Sequence, residues 1–241
     1  MDMNARPSAG FDLPRYLSLQ PLFQEMTREE LLRLAEGCTL QRLSRGDDVF
    51  RVGDPCDAFF VVVTGQVKLF GISPTGQEKV IEIVSPGQSF AEALMFTGRP
   101  FIVNAQALND ALVLRIGKAA VVREIERDPR FALRMLAGIS RRLHGLVHDV
   151  QAYALQNGVQ RVIGYLLRDE SADESTDEEA PVRPFTVSLP VSKATIASRL
   201  SLTPEYFSRV LHELEAAGLI AIDKRDIRIL DPLRLAAYQP A

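Results

Sequence analysis

SLTPEYFSRVLHELEAAGLI, residues 201–220, holds the most specific pattern in this 241-residue chain. Thr203 suits a helix N-cap and Pro204 the first helical position, while Gly218 suits a stop. Between them Phe207, Val210, Leu211 and Leu214 recur at i, i+3, i+4 and i+7, the spacing of one buried helical stripe. Glu205, Ser208 and Arg209 fall on the opposite, free face within about one turn.

The flanks extend the motif. Upstream, Ser192 is a cap for a short helix KATIASRL with Ile196, Ala197 and Leu200 inward, and Ser201-Leu202 makes a turn. Downstream, LIAI-DKRD-IRIL reads as a two-stranded wing with Lys224 and Arg225 at its tip. Helix, tight turn, helix and wing together predict a winged helix-turn-helix. On such a helix arginine can bond guanine O6 and N7, glutamate can accept from cytosine N4, and serine suits either base type. The site expected here is Glu205, Ser208 and Arg209 for base edges. Ser192, Lys193, Thr203, Lys224 and Arg225 join them as candidate DNA contacts. On an isolated helix, Glu205 would instead complement the dipole and Arg209 would be a solvated side chain.

Composition agrees with an ordinary globular chain: 46% hydrophobic, 24% charged and a net charge of −3. The charge is uneven. Residues 181–241 hold eight Lys or Arg against six Asp or Glu, a surplus of +2, which leaves residues 1–180 at 20 against 25, or −5. DESADESTDEEAP, residues 169–181, carries seven acidic residues and reads as a solvated loop. No apolar run approaches the roughly 18 residues of a spanning helix. MDMNARPSAGFDLPR lacks the apolar centre of a secretory signal, so a cytoplasmic protein without membrane contact is expected. Cys38 and Cys56, the two cysteines, lack a CxxC spacing and read as plain thiols.

Upstream of the winged part, DDVFRVG, DAFFVVV, QVKLFGI, EKVIEIV, FIVNAQA and DALVLRI are short β-rich runs between about Arg42 and Ile116. Gly53, Gly65, Gly76 and Gly87 recur every 11 or 12 residues at the breaks, where positive φ is needed. Evenly spaced hairpins predict an antiparallel β-roll. A helix within MTREELLRLAEG, started by Met26 or Thr27 and stopped by Gly37, precedes it. Pro129 then opens a long helix in which Leu136, Leu143, Val150 and Asn157 are seven apart, with Ile139, Leu146 and Tyr153 in a second register. That a/d stripe requires a partner, which periodicity alone leaves open between a second helix and the chain's own roll. A further helix is expected over 159–167. The overall expectation is an α+β chain: a β-roll domain over 1–128, a dimerisation helix over 129–156 and a winged helix-turn-helix over 157–241.

The roll with its glycines, the long helix and the winged domain with E-x-x-S-R resemble the CRP/FNR family of bacterial transcription regulators over about Leu17 to Leu235. PEYFSR, SFAEALMF and SPTGQEKVIEIV resemble the Dnr branch, regulators of denitrification that respond to nitric oxide. The resemblance implies a homodimer paired through Leu136, Ile139, Leu143, Leu146, Val150 and Tyr153, reading double-stranded DNA at a palindrome with TTGAT-like half-sites. It implies RNA polymerase as a partner, which in relatives touches the loop equivalent to SPTGQEK, residues 73–79. It also implies an effector bound in a cyclic-nucleotide-binding-like sensor domain.

Departures from the family narrow the effector. The Gly-Glu pair that grips cAMP becomes Ala91-Glu92, and Ile102 and Val103 stand where Arg-Ser would, so a phosphate would lack its cation. Cyclic nucleotide is disfavoured, with Arg99 nearby as an alternative cation. Two cysteines cannot ligate a four-cysteine iron-sulfur cluster. An apolar slot of Phe90, Leu94, Met95, Phe96, Phe101, Ile102 and Val103, with Glu92 beside it and facing Leu143 or Val147, is the expected pocket. The Dnr resemblance implies haem there as a nitric oxide detector, with His144 and His148 as candidate ligands; another small effector or redox state is the alternative. An enzyme built on the roll is excluded by chemistry, since residues 1–143 contain no histidine and no GxSxG elbow is present.

Overall fold

The structure, a computed structural model, describes residues 11–167 and 183–239. The acidic stretch 169–181 lies outside the described residues, apart from which the chain divides into two compact units, Met1–Gly145 and Leu146–Ala241.

In the first unit, α1 (Leu13–Ser18) and α2 (Arg28–Ala35) precede the strands β1 (Cys38–Leu43), β2 (Asp48–Phe50), β3 (Ala58–Thr64), β4 (Val67–Ile72), β5 (Glu78–Val84) and β6 (Ser89–Phe90). The short helix α3 (Glu92–Thr97), strands β7 (Asn104–Ala107) and β8 (Ala111–Gly117) and helix α4 (Lys118–Arg127) follow. The strands form two antiparallel sheets, β1-β8-β3-β6 and β2-β7-β4-β5. Thr27 opens α2 as expected, in a capping box with Glu30. Gly37 follows the end of α2 as expected, its N–H returning to the Leu34 carbonyl at 3.0 Å, and it has a second role: a Cβ there would stand 2.2 Å from Cβ of Ala120, so glycine lets α4 approach. Gly53, Gly65, Gly76 and Gly87 do adopt positive φ, between 77° and 92°.

The apolar run of β3 is explained by its place between two cores. Ala58, Phe60 and Val62 join Phe50, Phe90, Phe101 and Val113 in one, while Phe59 and Val61 join Leu17, Phe23, Met95, Leu114, Phe131 and Met135 in the other. A period-2 strand presents successive side chains to opposite faces, so a strand buried on both faces loses its polar alternation. The helix α5 (Arg130–Leu155) spans the division between these two units. Its first turns bury Phe131 and Met135 in the roll's helical core.

Cys38 is buried, its Sγ 3.3 Å from the Leu34 carbonyl oxygen, and burial pushes its thiol up to about 12; Cys56 is half-buried. A thiolate-directed reagent at pH 8 is expected to label Cys56 first and Cys38 only upon unfolding. Equal labelling rates in the native protein would contradict this core.

In the second unit, α6 (Gly158–Leu167), β9 (Phe185–Ser188), α7 (Lys193–Arg199), α8 (Pro204–Ala216), β10 (Ile220–Asp223), β11 (Asp226–Ile229) and α9 (Pro232–Ala236) surround a small core. Its sheet is β10-β11-β9, so the wing has a third strand beyond the two expected. Among the described residues, no helix is long and apolar enough to cross a membrane.

Candidate nucleic-acid interface and effector region

Each capping residue acts where the sequence placed it. The Thr195 N–H donates to Ser192 Oγ at 3.2 Å at the start of α7, and the Tyr206 N–H donates to Thr203 Oγ1 at 3.2 Å at the start of α8. The turn between them is tight. Ser201 adopts φ +56°, and the Leu202 N–H returns to the Ala197 carbonyl at 2.9 Å. Ile196, Ala197, Leu200, Phe207, Val210, Leu211 and Leu214 are all buried, which fixes the rotation of α8 about its axis. That rotation leaves Glu205 and Arg209 exposed and Ser208 half-buried, all near the N-terminal end of α8.

Neither Glu205 nor Arg209 has a hydrogen bond or ion pair among the described residues. The Arg209 guanidinium lies 4.7 Å from the centre of the Tyr206 ring. Lys224, at φ +55°, and Arg225 are exposed at the tip of the β10–β11 hairpin, where the Leu189 N–H donates to the Arg225 carbonyl at 2.8 Å. Lys193 is half-buried on α7. Sequence reasoning missed Tyr206, although its i, i+3 spacing from Arg209 was a readable signal. His212 is exposed, and the Glu215 carboxyl, 3.4 Å from it, is held below the usual carboxylate range chiefly by the Ile222 N–H.

Along α5 the stripe is only partly as expected. Leu136, Leu143 and Val150 are 58%, 60% and 64% exposed, with Leu146 and Val147 also exposed and Ile139 half-buried. A row of exposed leucine and valine on one face is a surface without a partner in the isolated chain. Tyr153 is a correction: its hydroxyl donates to the Arg199 carbonyl at 2.5 Å, Arg199 also pairs with buried Asp149, and the ring is half-buried by this network. A buried phenol needs a hydrogen-bond partner, and that need outweighs heptad register. Asn157 is another. The Gln160 N–H donates to its Oδ1 at 2.9 Å, so it caps α6 after α5 has ended.

The residues of the expected apolar slot come together only in part. Phe90 and Phe101 are in the core between the sheets, with Leu94 and Val103 packed against it, whereas Met95 is in the helical core. Phe96 and Ile102 are exposed, as are Leu143 and Val147. His144 is exposed; the side chain of His148 lies outside the described residues. The physical reason is local: α3 follows β6 directly, and its turn sends residues five apart in sequence to opposite sides of β3. Ala91, in the position of the family's glycine, keeps a left-handed φ of +71°.

Another cavity, of about 300 Å3, is lined by both charged and apolar groups, the latter including Pro21, Leu22 and Val61. It is also bounded by Gln20, Gln88 and Gly87, by Glu82 and Glu92, and by Arg141 and Arg142 on α5. Arg142 donates to the Ser89 carbonyl and to Glu82 Oε2, and stands 3.6 Å from Glu92. The Ser89 hydroxyl donates to Glu92 as well.

Comparison with known proteins adds relatives to this geometry. Residues 40–128 match the cyclic nucleotide-binding domain model and residues 160–238 the Crp-like helix-turn-helix domain model. The transcriptional activatory protein AadR of Rhodopseudomonas palustris is 27% identical over 215 residues, 88% of this chain and 85% of that protein. The structure of DNR from Pseudomonas aeruginosa is 34% identical, with 93% of this chain and 96% of that chain covered and a TM-score of 0.49. The structure of FixK2 from Bradyrhizobium japonicum has a TM-score of 0.72 at 20% identity, covering 85% of this chain and 98% of that one.

Proposed function

The chain belongs to the CRP/FNR family of DNA-binding transcription regulators and is not an enzyme, and from that premise we propose that it reads a TTGAT-like palindrome as a homodimer. The observation that carries this is the rotation of α8: its buried stripe turns Glu205, Ser208 and Arg209 outward together, on the first two turns of a capped helix.

In this reading the N-terminal end of α8 enters the major groove. Arg209 bonds guanine O6 and N7, Glu205 accepts from the paired cytosine N4, and Ser208 lies between them. Backbone amides at the capped starts of α7 and α8, with Ser192, Lys193, Thr203, Lys224 and Arg225, hold phosphates and fix register. A dimer made through Leu136, Leu143 and Val150 presents two such helices, so the half-sites lie about 10 bp apart, centre to centre. The exposed turn at 73–79 is the proposed contact with RNA polymerase, and the cytoplasm the proposed compartment.

Haem does not fit the described residues. Of its expected apolar walls, Phe90, Leu94, Phe101 and Val103 are packed into the core between the sheets, Met95 is in the other core, Phe96 and Ile102 are exposed, and His144 is exposed on α5. No step is therefore assigned to haem or nitric oxide. A small polar effector in the cavity beside Arg141, Arg142 and Glu92 is the reading that this geometry favours. Cyclic nucleotide remains the weaker choice, because Glu92 is already bonded to Ser89 and Ile102 replaces the phosphate-binding arginine.

The test is selectivity. Arg209→Ala is expected to cost about 1–3 kcal/mol of specific binding and to relax preference at one base pair per half-site. Binding competition between matched and singly substituted palindromes measures it. An unchanged preference would place the recognition face elsewhere.

A further inference from the structure

We infer that Tyr206 is a positioning residue for base reading, its ring seated on Gly158 and holding the Arg209 guanidinium on the free face of α8. The inference rests on the proposed reading of DNA by Arg209. A free arginine side chain carries about 2 kcal/mol of rotamer entropy, which bonding a base edge must overcome. Arg209 has no hydrogen bond or ion pair among the described residues to reduce that cost. What it has is the Tyr206 face, one helical turn back, 4.7 Å from its guanidinium.

The ring itself is fixed from the other side. A Cβ on Gly158 would stand 2.5 Å from Tyr206 Cε1 and 2.8 Å from its hydroxyl oxygen, so the ring occupies space that only glycine leaves. Gly158 is buried and opens α6, immediately after Asn157 caps it and three residues beyond Leu155, where α5 ends. Tyr206 therefore joins two things: the place where the long helix ends and the arginine that reads a guanine. A shift of the α6 start moves the ring, and the ring moves the guanidinium.

The test uses the full chain and two duplexes, one with TTGAT half-sites in palindrome and one with the G·C pair of each half-site replaced by A·T. The ratio of the two dissociation constants is the readout, since loss of packing alone weakens both duplexes equally. Tyr206→Leu is expected to lower the ratio about fivefold, and Gly158→Ala, which displaces the ring without altering it, to lower it in the same direction. Tyr206→Phe keeps the ring face and should keep the wild-type ratio. In an Arg209→Ala background, Tyr206→Leu should change the ratio no further. A wild-type ratio for Tyr206→Leu beside a reduced one for Arg209→Ala overturns the positioning role alone. A drop in Tyr206→Phe equal to that of Tyr206→Leu also overturns it, by assigning the effect to the hydroxyl. A wild-type ratio for Arg209→Ala removes the DNA-reading proposal, and this inference with it.

Discussion

Leu143→Asp is expected to abolish tight operator binding while leaving the fold of each unit intact. Leu143 is 60% exposed, so its replacement opens no cavity in the chain's own core and costs the isolated protomer little. In a dimer paired along α5 the same side chain is central, between Leu136 one heptad before and Val150 one heptad after. A carboxylate there would be desolvated opposite its own copy, a like-charge contact at the middle of the seam. Two half-sites bound by one dimer gain from effective concentration, which for linked modules is worth about 10²- to 10⁴-fold in affinity. The monomeric variant keeps its recognition helix and forfeits that factor. Analytical ultracentrifugation and operator titration on the same preparation should therefore change together. A Leu143→Asp protein that remains dimeric and binds normally would show that the exposed stripe does something other than pair.

The apolar stripe of α5 and the buried stripe of α8 were legible in the sequence because each is a periodic pattern on one element. Caps, turn glycines and the buried stripe of α8 are also local, since Thr203, Pro204 and Gly218 act within one turn of themselves. The first strand was harder. CTLQRL buries Cys38, Leu40 and Leu43, while exposed Arg42 interrupts the alternation, so its pairing with β8 supplies what propensity does not. The effector region was least legible, because a pocket is a relation among elements. Phe90 and Met95 are near neighbours in sequence, yet β3 stands between the cores they enter. Conversely, Gln20, Glu82 and Arg142 bound one cavity from distant parts of the chain. Tyr153 shows a third limit: it fits the heptad spacing, and its hydroxyl found a partner in the Arg199 carbonyl.

Arg142→Met is expected to be the most destabilising single change at that cavity. Glu92 is 7% exposed, and its carboxylate is neutralised by Arg142 at 3.6 Å with the Ser89 hydroxyl as its hydrogen-bond donor. Glu82, bonded to the other guanidinium arm, is half-buried. Methionine preserves most of the aliphatic packing but leaves two carboxylates without their cation. Breaking a buried pair in this one-sided way costs about 3–5 kcal/mol, whereas removing both charges is often close to neutral. The melting temperature of the variant should fall by roughly 10 °C. Adding Glu92→Gln should recover much of that loss, since an amide can still receive the Ser89 hydroxyl and carries no charge. Recovery would identify the penalty as an uncompensated buried carboxylate. An equally low melting temperature in the double variant would assign it instead to the bond from Arg142 to the Ser89 carbonyl, which ties α5 to β6 one residue before Leu143 of the pairing stripe.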